Sequence, residues 1–252
     1  MDHHKPDNPS LPLQAQPPEQ VVLTLQEQIA RLERTHVPSE EALVSSGCDA
    51  LDRLLPHRGF RWGTLVEWLA MERGGGVETL AFQAAREACR VGGTLVVVDR
   101  LREFYPPAAV RLGIDPEAMI VVHTLNEADH LWALDQSLRS PGVAAVLAWP
   151  EQLDGRTFRR LQLAIEQGGG LGLLVRSERM RNEPSWADLR LLVEPVPVAS
   201  PEASRRLRVH VLRSRGGTRG ESVEVEINDE TCPVHLASQL AHPADRRRAT
   251  GA

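Results

Sequence analysis

Thr64-Leu65-Val66-Glu67-Trp68-Leu69 is followed by the loop Met71-Glu72-Arg73-Gly74-Gly75-Gly76 and then by a helical stretch from Val77 to Arg90. Strand, glycine loop and helix in that order form a nucleotide-binding connection, in which backbone N–H groups and the helix N-terminus face a phosphate. A working phosphate loop of the GxxxxGK[ST] type also needs a lysine on the β/γ-phosphates and a hydroxyl on the magnesium. Here Val77 stands at the lysine position and Glu78 at the hydroxyl position. Lys5 is the only lysine in the 252 residues, so no other lysine can substitute. The connection reads as one that has kept its shape and lost its chemistry.

Outward from this unit, strands and helices alternate. Gly92-Gly93 turns the chain into strand Leu95–Asp99, and a helix over 106–112 ends at Gly113. Strand Met119–His123, helix Glu127–Arg139, strand Val143–Trp149, helix Gly155–Gln167 and strand Leu171–Val175 follow. Nearly continuous apolar runs such as Thr94-Leu95-Val96-Val97-Val98 suit strands covered on both faces. The βαβ order predicts a mostly parallel sheet between two helix layers. Farther on, Leu207, Val209 and Val211 alternate with polar residues, Gly216-Gly217 signals a turn, and Val223, Val225 and Ile227 alternate again. That pattern predicts an antiparallel hairpin.

Composition bounds the function. A net charge of −5 argues against nucleic-acid binding over the whole surface. Cys48, Cys89 and Cys232 show neither metal-ligand spacing nor a disulfide framework, which fits a reducing cytoplasm. The sequence shows no secretory-type leader and no apolar run of about 18 residues, so no membrane association is expected. Residues 1–20 read as a disordered leader and 241–252 as a disordered tail. In residues 21–38, Thr24 and Glu27 form a capping box, with Leu25, Ile29 and Leu32 at helical spacing.

The ordered set of motifs resembles a family. Val44-Ser45-Ser46-Gly47-Cys48-Asp49-Ala50-Leu51-Asp52 is similar to the lead-in segment of RecA-like ATPases. The likeness continues through Gly63 to Gln83, Val97-Val98-Asp99, Arg111 to Asp115, and Ser185-Trp186-Ala187-Asp188-Leu189-Arg190-Leu191. It implies a RecA-like α/β core over 39–240. The departures single out one subgroup. Met71 replaces the first loop glycine, Leu101 stands where a catalytic glutamate is expected, and Trp149 where a magnesium-orienting aspartate would end its strand. With Glu103-Phe104-Tyr105-Pro106-Pro107-Ala108 and Val211 to Gly217, these features resemble the ImuA family. That resemblance implies a non-catalytic, cofactor-free interaction protein of DNA-damage-induced translesion synthesis in bacteria. Its partners would be an ImuB-like protein, an error-prone DNA polymerase and RecA. Two alternatives stay open: an atypical ATPase with a degenerate phosphate loop, and a cell-division inhibitor like SulA.

Each candidate site has a plain structural counterpart. Gly74, Gly75, Gly76, Val77 and Glu78 could still cradle a phosphate, helped by Arg73. The exchange turns an attraction into a repulsion, and one charge pair at about 4 Å is worth about 4 kcal/mol at an effective dielectric of ~20. Micromolar binding is about −8 kcal/mol in total. The expectation is therefore a structural turn. Asp99 and Glu103 could pair as acid and base, but capping suits them better. His123, His210 and His235 lack ligand spacing. Arg208, Arg213 and Arg215 are candidate DNA contacts within the basic run from Arg205 to Arg219, against cross-strand pairing with Glu221, Glu224 and Glu226. Weak or no direct DNA binding is expected. Leu25, Ile29 and Leu32 are the candidate partner-binding face, against docking on the chain's own core.

Overall fold

The computed structural model describes residues 42–71, 74–197, 205–215, 220–227 and 234–236. Contacts divide the chain into two units, Met1–Thr35 and His36–Ala252, and every described residue lies in the second. The leader, the segment with Leu25, Ile29 and Leu32, Arg73, the Gly216-Gly217 turn, Arg219 and the tail lie outside the described residues.

A short pair of strands, β1 (Leu43–Val44) and β2 (Phe60–Arg61), brackets helix α1 (Asp49–Leu54). The Asp52 carboxylate accepts from Ser45 Oγ at 2.6 Å and from the Ser46 N–H at 2.7 Å, folding this lead-in onto its own helix. The main series is β3 (Thr64–Ala70), α2 (Val77–Val91), β4 (Thr94–Asp99), α3 (Pro106–Arg111), β5 (Met119–His123), α4 (Glu127–Arg139), β6 (Val143–Ala148), α5 (Gly155–Gly168) and β7 (Leu171–Ser177). It closes with β8 (Leu189–Val196), β9 (Arg205–Ser214), β10 (Ser222–Ile227) and β11 (Val234–Leu236). A nine-stranded sheet runs in the order β11-β10-β9-β8-β3-β7-β6-β4-β5. Strands from β8 to β5 are parallel, and β9, β10 and β11 continue antiparallel.

The all-apolar strands are explained by two cores, one on each face of the sheet. Along β4, Leu95 and Val97 enter one core while Val96 and Val98 enter the other. The first core takes Ala50 and Leu51 of α1, Leu80, Ala84 and Ala88 of α2, and Ala109 of α3. The second takes Leu134 and Leu138 of α4 with Phe158, Leu161 and Ile165 of α5. Strands with period-2 side chains and helices on both faces need apolar residues at every position. Beyond β8 the described residues cover only one face. Leu207, Val209, Val211, Val225 and Ile227 are buried there, and the opposite face carries charge. Arg206 and Arg208 stand across from Glu226 and Glu224 in the β9–β10 register.

Two elements differ from the expectation. Leu189–Val196 is not among the strands predicted from the sequence, yet it joins the two parts of the sheet, parallel to β3 and antiparallel to β9. Pro195, inside that run, argues against a strand in the sequence; in the fold it is exposed near the strand's end. The antiparallel part also holds a third strand, β11, beyond the hairpin. Asp188 ties the β3–β8–β9 junction together. Its N–H donates to the Leu65 carbonyl at 2.8 Å, and its carboxylate accepts from the Leu65 N–H at 2.9 Å and pairs with Arg215 at 2.8 Å. Burial raises the Asp188 pKa, partly offset by the Leu65 N–H and Arg215.

Candidate functional site

Ligands of open parallel sheets gather beyond the C-terminal ends of the strands. In this chain that edge holds the end of β3, the glycine loop, the first turn of α2, Asp99 at the end of β4, and Trp149 just after β6. Two cavities open there, of about 410 Å³ and about 250 Å³, sharing Glu78, Trp149 and Glu151 in their walls. A further cavity of about 550 Å³, walled by Trp62, Glu166, Asp188 and Arg215 among others, lies at the opposite edge, where the parallel strands begin.

The loop residues serve the fold. Gly76 is the N-cap of α2 with φ 94°, a left-handed conformation that suits glycine. A Cβ there would lie 2.9 Å from Leu207 Cδ1, so the loop is packed directly against β9. Arg205 of the same strand donates to the Gly74 carbonyl at 3.3 Å. Val77 is 1% exposed and belongs to the core. The position that should project a cation toward a phosphate therefore points inward. Glu78 is half-buried and lines both cavities. Among the described residues, the smaller cavity is lined by four carboxylates, of Glu78, Asp99, Glu103 and Glu151, and by one arginine, Arg100, which pairs with Glu151 at 3.2 Å. A polyanion brought here meets net negative charge in a partly desolvated cleft, where such charges interact strongly. The larger cavity is also lined by Arg176 and Arg179, but Val77 and Glu78 do not supply the lysine and hydroxyl that a magnesium nucleotide takes from a phosphate loop. Among the described residues, no group of three or more His, Cys, Asp and Glu side chains is arranged to hold a metal.

Asp99 is 3% exposed, and its carboxylate accepts from the Phe104 N–H at 2.9 Å and the Glu103 N–H at 3.4 Å. It caps the turn that follows β4. Leu101 is exposed, and Trp149 packs against the first core. His130 of α4 is buried with neither ring nitrogen hydrogen-bonded. Burial, and after it the charge of Arg100, lowers its pKa from the ordinary 6.5, with Glu127 and Asp99 opposing. A group whose folded pKa is depressed binds fewer protons folded than unfolded. Its effect on stability is therefore lost as pH falls through about 6.5 toward the folded value. Urea unfolding at pH 7.5 and pH 5.5 should show a larger acid loss in the wild type than in His130→Leu. Equal losses in the two proteins would contradict this reading.

The most buried charges form a cluster that none of the sequence motifs includes. Glu67 sits in the middle of β3, fully buried, with Arg176 of β7 at 2.7 Å and Arg190 of β8 at 2.7 Å. Arg176 also donates to the Glu151 carbonyl at 3.2 Å and the Pro150 carbonyl at 3.4 Å, and pairs with Glu183 at 3.3 Å. Arg190 donates to the carbonyls of Met180 at 2.5 Å, Arg181 at 2.8 Å and Glu183 at 3.2 Å. One carboxylate thus holds two guanidinium groups, and these hold the loops leaving β6 and β7. The only signal in the sequence is three charges inside apolar strands.

The candidate DNA arginines are placed among protein partners. Arg208 Nε reaches Glu224 at 3.1 Å, Arg213 donates to the Ser185 carbonyl, and Arg215 pairs with Asp188 at 2.8 Å and Glu166 at 3.6 Å. The pairing with Glu224 and Glu226 is cross-strand, between residues in direct register.

Comparison with known proteins fits this geometry. No family model matches the chain. Over 168 residues the chain is 33% identical to Protein ImuA of Caulobacter vibrioides (strain NA1000 / CB15N), covering 60% of this chain and 69% of that protein. The chain belongs to the ImuA family. Beyond ImuA, Protein RecA of Laribacter hongkongensis (strain HLHK9) is 29% identical over 119 residues, 47% of this chain and 33% of that protein. The crystal structure of the RadB recombinase superposes with a TM-score of 0.59 at 17% identity, covering 78% of this chain and all of that chain. The fold is RecA-like. Among the described residues no helix is long and apolar enough to cross a membrane.

Proposed function

We propose that this ImuA-family chain is a non-catalytic interaction protein of DNA-damage-induced mutagenesis, active through its surfaces and not through nucleotide turnover. The observation that carries the reading is Val77, buried in the core where a RecA-like ATPase needs a projecting cation. Glu78 and the packing of Gly76 against Leu207 support it, because both turn a ligand loop into a structural joint. A RecA-like body without nucleotide control can bind its partners without cycling. By the family resemblance these partners are an ImuB-like protein, an error-prone polymerase and RecA. Direct DNA binding is weak and salt-sensitive in this reading, since Arg208, Arg213 and Arg215 are already engaged. The test is damage-induced mutation frequency in cells deleted for this chain. Frequency should fall on deletion and recover with wild type and with Glu78→Ala alike. Full mutability of the deletion would overturn the role in mutagenesis. Failure of Glu78→Ala to complement, with normal protein levels, would overturn a role independent of the cleft.

A further inference from the structure

Strand β5 is the last strand of the nine-stranded sheet, and among the described residues it is hydrogen-bonded on one side only, to β4. A terminal strand presents a row of main-chain donors and acceptors to any extended chain beside it. Proteins blunt such edges with lysines, prolines, bulges or inward charges. Met119-Ile120-Val121-Val122-His123 has none of these, and its register with β4 is unbroken. Ile120 is 53% exposed, and Leu125, two residues past the strand, is 88% exposed. Trp132, on the helix that follows, is 66% exposed. Isolated apolar residues on a surface are ordinary, but here they attend an open strand edge.

Charge says what kind of strand belongs there. From Leu112 to Leu138 the sequence contains no lysine or arginine. Asp115 and Glu117 stand exposed before β5, and Glu127 and Asp129 stand exposed after it. The edge is an apolar main-chain template bracketed by acidic residues at both ends. We propose that β5 is a β-addition site for an extended segment of another protein, with alternating apolar residues flanked at both ends by arginine or lysine. Main-chain hydrogen bonds would supply affinity, and the acidic brackets would supply register and choice of partner. A second copy of β5 is disfavoured by the same charges, because antiparallel pairing would bring acidic bracket against acidic bracket. The proposal does not depend on the role in mutagenesis, and its test contains no repair component.

The experiment uses the full chain and two fluorescein-labelled peptides, each with a central valine–threonine–isoleucine–threonine–valine strand. One is flanked by paired arginines and the other by paired glutamates. Fluorescence anisotropy should show the arginine-flanked peptide binding at least tenfold more tightly, with the difference shrinking at high salt. Ile120→Lys, and separately Leu125→Lys, should abolish binding. Both positions are exposed, and an unchanged thermal melt establishes that each variant is folded. Glu117→Arg with Glu127→Arg should reverse the preference between peptides. Equal binding of the two peptides, or binding of neither, overturns the proposal. So does a concentration-dependent dimer in sedimentation that Ile120→Lys dissolves, since a second copy would then hold the edge.

Discussion

Glu67→Ala is expected to lower folding stability by about 3–5 kcal/mol, because it leaves two buried guanidinium groups without their carboxylate. Arg176 is fully buried and Arg190 nearly so, so water cannot replace the lost partner. A domain is stable by only about 5–15 kcal/mol, so the variant should unfold at much lower urea. Arg176→Ala should also destabilise, for it leaves Glu67 with Arg190 as its remaining partner and frees the Glu151 and Pro150 carbonyls. Exchanging all three charges together for Leu, Met and Leu should recover only part of the loss. A buried ion pair can often be replaced by apolar residues without cost. Here the guanidinium groups also satisfy loop carbonyls, and those would remain unpaired. Urea unfolding of the single and triple variants reads this directly. A loss below about 1 kcal/mol in Glu67→Ala would contradict the structural role of the cluster.

Gly76→Val should cost about 2–4 kcal/mol, combining a left-handed backbone forced on a branched residue with overpacking against Leu207. Part of that cost is removable. Leu207 meets the new side chain with its flexible end, so in a Leu207→Ala background the added cost should shrink to the backbone share of about 1–2 kcal/mol. A loop kept for ligand binding would answer differently. Its glycine substitution would spare stability and change only binding. The same cost of Gly76→Val in both backgrounds, by urea unfolding, would show that β9 does not press on the loop.

The sequence carried the sheet well where hydrophobic pattern alone decides structure. Leu95 to Val98 is apolar throughout because two cores meet at β4, and α4 and β5 have the bounds predicted for them. The sequence also shows that Val77 and Glu78 stand where a working phosphate loop has its lysine and hydroxyl. What escaped is what pairs over distance. Glu67 and Arg176 are 109 residues apart, and Glu67 meets Arg190 only through the register of β3 with β8. No local pattern announces such a partner. The same holds for Leu207, whose contact with Gly76 depends on where β9 joins the sheet. In β8 the buried part ends before Pro195.

Isothermal titration of the full chain with magnesium ATP tests the central claim most directly. The account predicts no saturable heat in the micromolar range, because the cation position is buried and the cleft is lined with carboxylates. A micromolar isotherm that disappears in Arg73→Ala would contradict it, and would show that the loop still holds a phosphate.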